Sequence, residues 1–409
     1  MGSLFADITP LRAVPAFRRY YLGQLVSIFG SALTILALRY QAYKLGGDST
    51  TTVALLALAT LVPLVASSIV GGSIADAFDR RTILLVTQVL LSLCSLGLAI
   101  NARATHPKLW IVFVLAAMSS ALVGVDWPTR TSVIPNLVGP EYTQRAISLN
   151  IALFNLAGIG GPVLAGFVVQ RSVSLPYFLD AASYAASFVA VLSIPPQIPH
   201  GEARKVSLGT IADGLRYVKG HRTIRSTFAA DLGAMIFGLP DALFPAMAEK
   251  VFTGGPHTLG YLQAAPAVGA VLGSALAGWT NRVRRQGRAV IWCIVVWGLG
   301  IAAFGTTKIL PLALLGLGVA GAADSISAIF RSTIVQRTVP DEYRGRLSAV
   351  FVAVVRGGPR LGEFESGLAA SVGGLHFAAI SGGLACIAWI AAVAKRYPEL
   401  SAYVDDGET

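Results

Sequence analysis

Acidic and basic side chains lie inside long apolar stretches of this 409-residue chain, and these are the side chains that could do chemistry. An ionisable group at the centre of a membrane-spanning helix costs about 2.5–3.5 kcal/mol on insertion scales, so each one needs a partner or a function. One further acid, Asp180, is predicted near the outer end of its helix. The remaining set is Asp126, Asp231, Asp241, Asp324, Glu363, Glu365, Arg130, Arg331, Arg356 and Arg360.

Three interpretations of these side chains stay open. The first is ion pairing that fixes helix packing: Asp126 and Arg130 are four residues apart, and Arg360 can reach Glu363 three residues later. The second is proton coupling, because a buried carboxylate beside an arginine can take up and release a proton near neutral pH. The third is substrate recognition, in which an arginine presents its forked donors to an anionic molecule.

The last two interpretations name different residues. Proton coupling is predicted first for Asp324, Glu363 and Glu365, and after them for Asp126. Substrate binding is predicted for Arg356, Arg360, Asp231 and Asp241.

The composition indicates that membrane helices position these groups. Hydrophobic residues make up 54% of the chain and charged residues 13%, against roughly 25% charged in a soluble domain, and the mean hydropathy is +0.66. Apolar runs of about 20 residues, enough to cross a hydrocarbon core, recur along the chain. They predict an all-α integral membrane protein with twelve transmembrane helices, at about 19–43, 51–75, 81–101, 108–134, 143–170, 174–195, 223–250, 257–280, 287–306, 309–335, 345–371 and 374–394.

The basic residues predict the orientation. Most lysines and arginines outside the apolar runs fall on the side that holds both termini, and the positive-inside rule places that side in the cytoplasm. The net charge of +11 is then explained by topology and anionic lipid headgroups, and no nucleic-acid partner is expected.

One polar sequence occurs twice. The stretch TRTSVIPNLVGPEYTQRAISL begins at Thr129, and FRSTIVQRTVPDEYRGRLSAV begins at Phe330. A shift of 201 positions places Arg130 on Arg331 and Arg145 on Arg346. Both copies follow the fourth apolar run of a six-run half, which predicts two pseudo-symmetric six-helix bundles in the same orientation.

The longest loop divides the two predicted bundles. We expect an N-terminal bundle over 1–195, a cytoplasmic linker over 196–222 and a C-terminal bundle over 223–409. In the linker, Leu208, Ile211, Leu215 and Val218 follow helical spacing, which is typical of an amphipathic helix at the membrane surface.

The loop GGSIADAFDRR, from Gly71 to Arg81, resembles the signature loop of the major facilitator superfamily, commonly written GxLaDrxGRR. Gly72 matches the leading glycine, which would allow close helix packing, and Asp76 matches the acid, which Arg80 would neutralise one turn later. Asp79 stands where the pattern has a second glycine, and the corresponding second-half loop, WTNRVRRQGR, has lost the acid. The resemblance implies a conformational latch, for which we expect Gly72, Asp76, Arg80, Arg81, Arg130, Arg331 and Arg346.

A second motif also resembles this superfamily. GIGGPVLAG resembles the antiporter motif GPxxGG of export families, with Ala165 in place of one glycine. Separately, the stretches PAFRRYYLGQLVS, TRTSVIPNLV, VPDEYRGR and GGPRLGEFESG, with the residues from Ala322 to Ser332, make essentially the whole chain similar to the branch that contains the enterobactin exporter. The residues expected to form this antiporter-like helix are Gly158, Gly161, Pro162 and Gly166.

The resemblance implies a secondary active exporter of the cell membrane, working as a monomer by proton antiport and alternating access, with a siderophore or siderophore-like metabolite as cargo. A drug or macrolide efflux pump on the same fold and a membrane sensor that moves nothing are the alternatives. The sequence contains no GxxxxGK[ST] phosphate loop, no HExxH and no GxSxG, so we expect no enzyme activity, no cofactor and no metal.

Overall fold

A computed structural model describes residues 7–198 and 216–404, without the side chains of 341–342, 344–346 and 348–353. The described backbone is helical and contains no strand. Ten long helices follow in chain order: α1 (Pro15–Leu45), α2 (Thr50–Ala77), α3 (Arg80–Arg103), α4 (Leu109–Arg171), α5 (Ser174–Leu192), α6 (Arg222–Phe237), α7 (Gly255–Ala275), α8 (Gln286–Thr306), α9 (Leu310–Thr338) and α10 (Asp341–Arg396).

Two of these helices contain a break at a single glycine. The backbone of Gly139 in α4 has φ 74°, and that of Gly374 in α10 has φ 85°. Both lie in the left-handed region that glycine adopts without steric cost, and Pro140 further disfavours a helical conformation for the residue before it. The two loops predicted at about 134–143 and 371–374 are therefore sharp breaks between helical arms.

Nine helical segments in the described part of the chain are long and apolar enough to cross a membrane. Two of them, Leu109–Arg171 and Val354–Arg396, contain the glycine breaks. Every described apolar stretch that was predicted to span the membrane is helical over most of its length, although the exact number of spans stays a prediction. The molecule is a multi-pass membrane protein.

The chain forms two compact units. Unit 1 comprises Met1–Gly46 and Ala59–Ser207, and unit 2 comprises Gly47–Leu58 and Leu208–Thr409. In unit 1, α5 packs against α1 and α3, and α4 packs against the same two helices. In unit 2, α9 packs between α7 and α8, while α10 contacts α6 and α8. The bundle boundaries predicted from the sequence stay a prediction.

The helix predicted over 223–250 is not continuous. Helix α6 ends at Phe237, and a 3-10 turn (Asp241–Leu243), a short helix (Phe244–Ala246) and a π-helix (Met247–Val251) follow. Gly238 and Pro240 lie at the interruption, where proline cannot donate a helical hydrogen bond. The indole of Trp297 donates to the carbonyl oxygen of Gly238 (2.9 Å) and so satisfies one of the groups that the break exposes.

The predicted amphipathic linker helix lies mostly outside the described residues, including Leu208, Ile211 and Leu215. Val218 is described, and its side chain is buried with Ile224, Phe228 and Val339 in a core cluster of unit 2. The amphipathic linker helix as a whole stays a prediction.

Candidate functional site

Two carboxylates share one arginine in unit 2. The guanidinium Nη2 of Arg331 on α9 lies 2.8 Å from Oδ1 of Asp231 on α6 and 3.3 Å from Oδ1 of Asp324. Its Nη1 donates to Ser327 Oγ (2.9 Å). The spacing of Asp324 and Arg331, two helical turns, was visible in the sequence, whereas Asp231 comes from a distant helix.

The two carboxylates differ in exposure. The side chain of Asp231 is 4% exposed and that of Arg331 7%, whereas that of Asp324 is 39% exposed. One guanidinium neutralises only one carboxylate, so the three groups together carry an excess negative charge when all are ionised. Such a site favours uptake of a cation or a proton, and Asp324 is the member that water or a ligand can reach.

The corresponding arginine of unit 1 has different partners. Arg130 on α4 forms an ion pair with Asp126, one turn earlier, as the sequence predicted. The Asp126 carboxylate also accepts hydrogen bonds from Thr87 Oγ1 (2.6 Å) and Gln88 Nε2 (3.1 Å) on α3. The hydroxyl of Tyr20 donates to the backbone oxygen of Arg130 (3.3 Å). A guanidinium and two further donors surround this buried carboxylate, an arrangement that favours a packing role for Asp126.

The predicted cluster on α10 is partly assembled. Arg360 Nη1 lies 3.2 Å from Glu363 Oε1, and Glu363 is almost fully buried. Glu365 Oε2 is buried and has no hydrogen-bond partner among the described residues. Arg356 is half-buried on the same helix, and Asp241 lies in the 3-10 turn after the break of α6.

Glycines of α10 bring this cluster against the broken helix. A Cβ on Gly362 would lie 3.2 Å from the carbonyl oxygen of Ile236, and one on Gly358 would lie 2.7 Å from Met235 Sδ. The hydroxyl of Ser366 lies 3.4 Å from the oxygen of Leu239, inside the interruption. Exposed carbonyls and interrupted helices are features that transporters use at substrate and ion sites.

The signature loop of unit 1 holds its charges in local contacts. Arg80 Nη2 lies 3.8 Å from Asp76 Oδ1, as predicted, and Arg80 also donates to the oxygens of Ala75 and Ser132. Arg81 Nη2 donates to the oxygen of Leu192 (2.7 Å), so it satisfies a carbonyl at the end of α5.

Asp79 has a role of its own in this loop. Its carboxylate caps α3 by accepting from the backbone N–H of Arg81 (3.1 Å) and from Thr82 Oγ1 (3.2 Å), and it accepts from the N–H of Gln197 (2.6 Å). An aspartate is among the best N-cap residues, which explains an acid where the family pattern has glycine.

The predicted packing role of Gly72 is wrong. A Cβ on Gly72 would meet no atom within 4 Å, whereas one on Gly71 would lie 2.8 Å from the Cα of Val125. The neighbouring glycine, one position earlier, therefore faces α4. The sequence shows that two adjacent glycines are present. Which of them faces α4 depends on the rotation of α2 about its axis, which the sequence does not reveal.

The remaining predicted residues are distributed as follows. Gly161 packs against Ala32 of α1, where a side chain would clash, and Gly166 is buried, while Gly158 and Pro162 are half-buried on the same arm of α4. The side chain of Arg346 lies outside the described residues. In the described part of the chain, no group of three or more His, Cys, Asp or Glu residues could hold a metal ion.

Sequence reasoning missed the surroundings of Asp180. This residue is 1% exposed on α5, and the described partners of its carboxylate are hydroxyls. Thr34 Oγ1 (2.8 Å) and Ser95 Oγ (2.7 Å) donate to Oδ2, while Ser31 and Ser183 lie 3.5 and 3.4 Å from Oδ1. These hydroxyls come from α1, α3 and α5, so no local spacing in the sequence could have revealed them.

Comparison with known proteins agrees with this architecture. Among solved structures, the chain is similar to the nucleoside transporter NupG (TM-score 0.74, 15% identity, 95% of this chain and 99% of that chain). It is also similar to a bacterial homologue of the iron transporter ferroportin in an inward-facing state (TM-score 0.71, 14% identity, 95% and 99%). The chain therefore shares the fold of these two proteins.

Sequence comparison identifies the family to which the chain belongs. The family model of the transmembrane secretion effectors, a major facilitator family, matches residues 5–405. The chain is 24% identical to the enterobactin exporters EntS of Shigella boydii and of Escherichia coli, over 91% of this chain and 88% of each relative. The chain belongs to the transmembrane secretion effector family.

Proposed function

We propose that this protein is a secondary active exporter that moves a small molecule out of the cell in exchange for protons. The observation that carries the proposal is the sharing of Arg331 between Asp231 and Asp324, with Asp324 exposed. In that arrangement a proton on Asp324 frees the guanidinium to pair fully with Asp231. Loss of the proton restores the competition between the two carboxylates. A change in pairing partner of this kind links proton binding to the packing of α6 against α9.

The energy available from protons is sufficient for export. One charge that crosses about 100 mV releases about 2.3 kcal/mol, which supports a gradient of about fiftyfold if one proton is exchanged for one neutral molecule. We propose alternating access, in which the substrate site opens to one side of the membrane at a time.

The topology belongs to the same proposal. Counting the two arms of α4 and of α10 separately, and α6 with its continuation as one span, leads to twelve spans with both termini in the cytoplasm, as the basic residues indicate. The two predicted bundles, 1–195 and 223–409 with the linker 196–222 between them, would work as a monomer in the cell membrane.

For the cargo we propose a siderophore or a siderophore-like metabolite, because the similar EntS proteins are enterobactin exporters. Arg356 and Arg360 on α10 supply positive charge beside the interruption of α6, which suits an acidic or catecholate molecule. Asp231 lies on α6 before that interruption, and Asp241 lies in the 3-10 turn after it.

Transport in liposomes tests the proposal. Purified protein in vesicles with an imposed pH gradient should accumulate enterobactin, and a macrolide antibiotic serves as a second probe for the drug-efflux alternative. Binding of either probe without any flux would indicate a sensor and would contradict export.

A substitution at Asp324 tests the coupling. Asp324→Asn should reduce gradient-driven accumulation by tenfold or more, because a neutral amide cannot exchange a proton, while exchange of labelled for unlabelled cargo at equal pH continues. Glu399→Gln is the matched control for removal of one acid from unit 2, because Glu399 pairs with Arg222 and is not a coupling candidate. Full gradient-driven activity of Asp324→Asn would mean that another acid couples.

A further inference from the structure

Unit 1 contains a second candidate ion site, which the proposed mechanism does not use. Asp180 is buried on α5 next to four hydroxyl groups, and none of the described residues in contact with its carboxylate is a cation. A buried carboxylate without a positive partner is costly to ionise. We therefore ask whether the groups around Asp180 could also accommodate the protonated carboxylic acid.

The hydroxyls around Asp180 can serve both protonation states. Ser31 also donates to the oxygen of Ser27 (3.0 Å), and Ser183 to the oxygen of Asp180 itself (2.7 Å). When these two serine protons go to the backbone, their oxygens are free to accept a hydrogen bond from the protonated carboxyl. A hydroxyl is donor and acceptor at once, so the same cage satisfies a carboxylate or a carboxylic acid by rotation of its hydroxyl protons.

Asp126, in the same unit, shows the contrast. Its partners are the guanidinium of Arg130 and the amide N–H of Gln88, which can only donate, and the hydroxyl of Thr87. Asp126 is thus the counter-charge of a buried arginine, whereas the described partners of the Asp180 carboxylate are neutral hydroxyls.

The groups that face Asp180 from the neighbouring helices are few. From α1 come Ser31 and Thr34, and from α3 comes Ser95. Its own helix contributes Ser183 and Tyr184, whose hydroxyl lies 2.9 Å from Ser31 Oγ.

Gly30 makes this arrangement possible. A Cβ at Gly30 would lie 2.9 Å from Asp180 Oδ1 and would collide with Ser183. The backbone of α1 therefore approaches the carboxylate closely at this point, which is how Ser31 and Thr34 come within reach of it.

We infer that Asp180 and its hydroxyl cage, formed by Ser31, Thr34, Ser95 and Ser183, are a proton-binding site of unit 1. Its role in transport rests on the proposed proton antiport, but the binding of the proton does not. When the site is occupied, Asp180 carries the proton as a carboxylic acid that donates to Ser31 or Ser183. When it is empty, all four hydroxyls donate to the carboxylate.

Infrared spectroscopy of the purified protein in lipid nanodiscs tests this site without any transport. We expect the wild type to show the carbonyl band of a protonated, buried carboxylic acid, which loses intensity as the pH is raised. Asp180→Asn should lose that band, and the amide can still accept from Thr34 and Ser95, so the variant should fold. Asp126→Asn is the matched control and should keep the band.

Three results would overturn the inference. The first is a wild-type pH titration that Asp180→Asn leaves unchanged, and the second is the loss of the band in Asp126→Asn alone. The third is displacement of the band by sodium ions at constant pH, which would make the cage a metal-cation site. If the band behaves as expected and vesicles show no proton-driven flux, the proton site stands and the proposed antiport fails.

Discussion

The two arginines that the internal repeat aligns, Arg130 and Arg331, solve the same problem in different ways. Each is buried, and each needs a negative partner. Asp126 provides that partner for Arg130 from one turn earlier, and at the position aligned with Asp126 the second half carries Ser327. Arg331 has two negative partners. Asp231 is on another helix, α6, and Asp324 is two turns earlier on α9.

This difference separates a fixed pair from an exchangeable one. A pair between residues of the same helix stays together whatever the neighbouring helices do. A pair between α6 and α9 breaks when those helices move apart, and the second acid on α9 is ready to replace the first. The arginine is thus present in both copies of the repeat, and we propose that it fixes packing in unit 1 and can change partners in unit 2.

Removal of Arg331 should lower the free energy of unfolding more than any other substitution proposed below. Arg331→Gln leaves two carboxylates without a counter-charge, and breaking a buried ion pair costs about 3–5 kcal/mol. Arg130→Gln should cost less, about 1–3 kcal/mol, because Thr87 and Gln88 continue to donate to Asp126. The free energy of unfolding of both variants in detergent micelles, measured by denaturant titration, checks the order.

A control separates charge from packing in this pair of variants. Arg331→Lys and Arg130→Lys keep the positive charge but lose the forked donors, so each should recover part of the loss. Equal destabilisation by Arg331→Gln and Arg130→Gln would remove the distinction between the two units.

A second substitution gives Arg331 of unit 2 the same kind of partner that Arg130 has in unit 1. Ser327→Asp places a carboxylate one turn before Arg331, at the position that Asp126 holds relative to Arg130. The new pair should compete with Asp231 and Asp324 for the guanidinium and hold it on α9. We expect gradient-driven transport in vesicles to fall at least tenfold while binding of the cargo is retained.

The matched control for this variant is Ser327→Asn, which has nearly the same size and no charge. It should keep most of the transport activity. If Ser327→Asn is as inactive as Ser327→Asp, the volume at this position is responsible and the pairing argument is wrong.

Local spacing predicted part of this site. Residues three, four or seven apart on one helix share a face, so Asp126 with Arg130, Arg360 with Glu363, and Asp324 with Arg331 were accessible from the sequence, and the structure brings each pair together. The apolar runs also gave the helices, because their length is set by the membrane thickness.

Contacts between helices were not accessible in the same way. Asp231 reaches Arg331 across a hundred residues, and the cage of Asp180 comes from three helices. The rotation of a helix about its axis also decides which of two adjacent glycines packs, which is why Gly71 and not Gly72 faces Val125. An apolar helix shows little amphipathic pattern, so its rotation could not be inferred.

Substitutions in the signature loop should cause the smallest loss of stability. The two halves of the chain differ in this loop as well. Asp79 caps α3 and holds Gln197, whereas the aligned residue of unit 2 is Thr280, whose hydroxyl donates to the oxygen of Ala277 three residues earlier (2.7 Å). Asp79→Ala removes an N-cap and should cost about 1 kcal/mol. Thr280→Val keeps the shape and removes a single neutral hydrogen bond, so it should cost less. The melting temperatures of the two variants in detergent measure the difference. A larger loss for Thr280→Val would show that the loop of unit 2, despite its missing acids, stabilises its unit more than the intact signature stabilises unit 1.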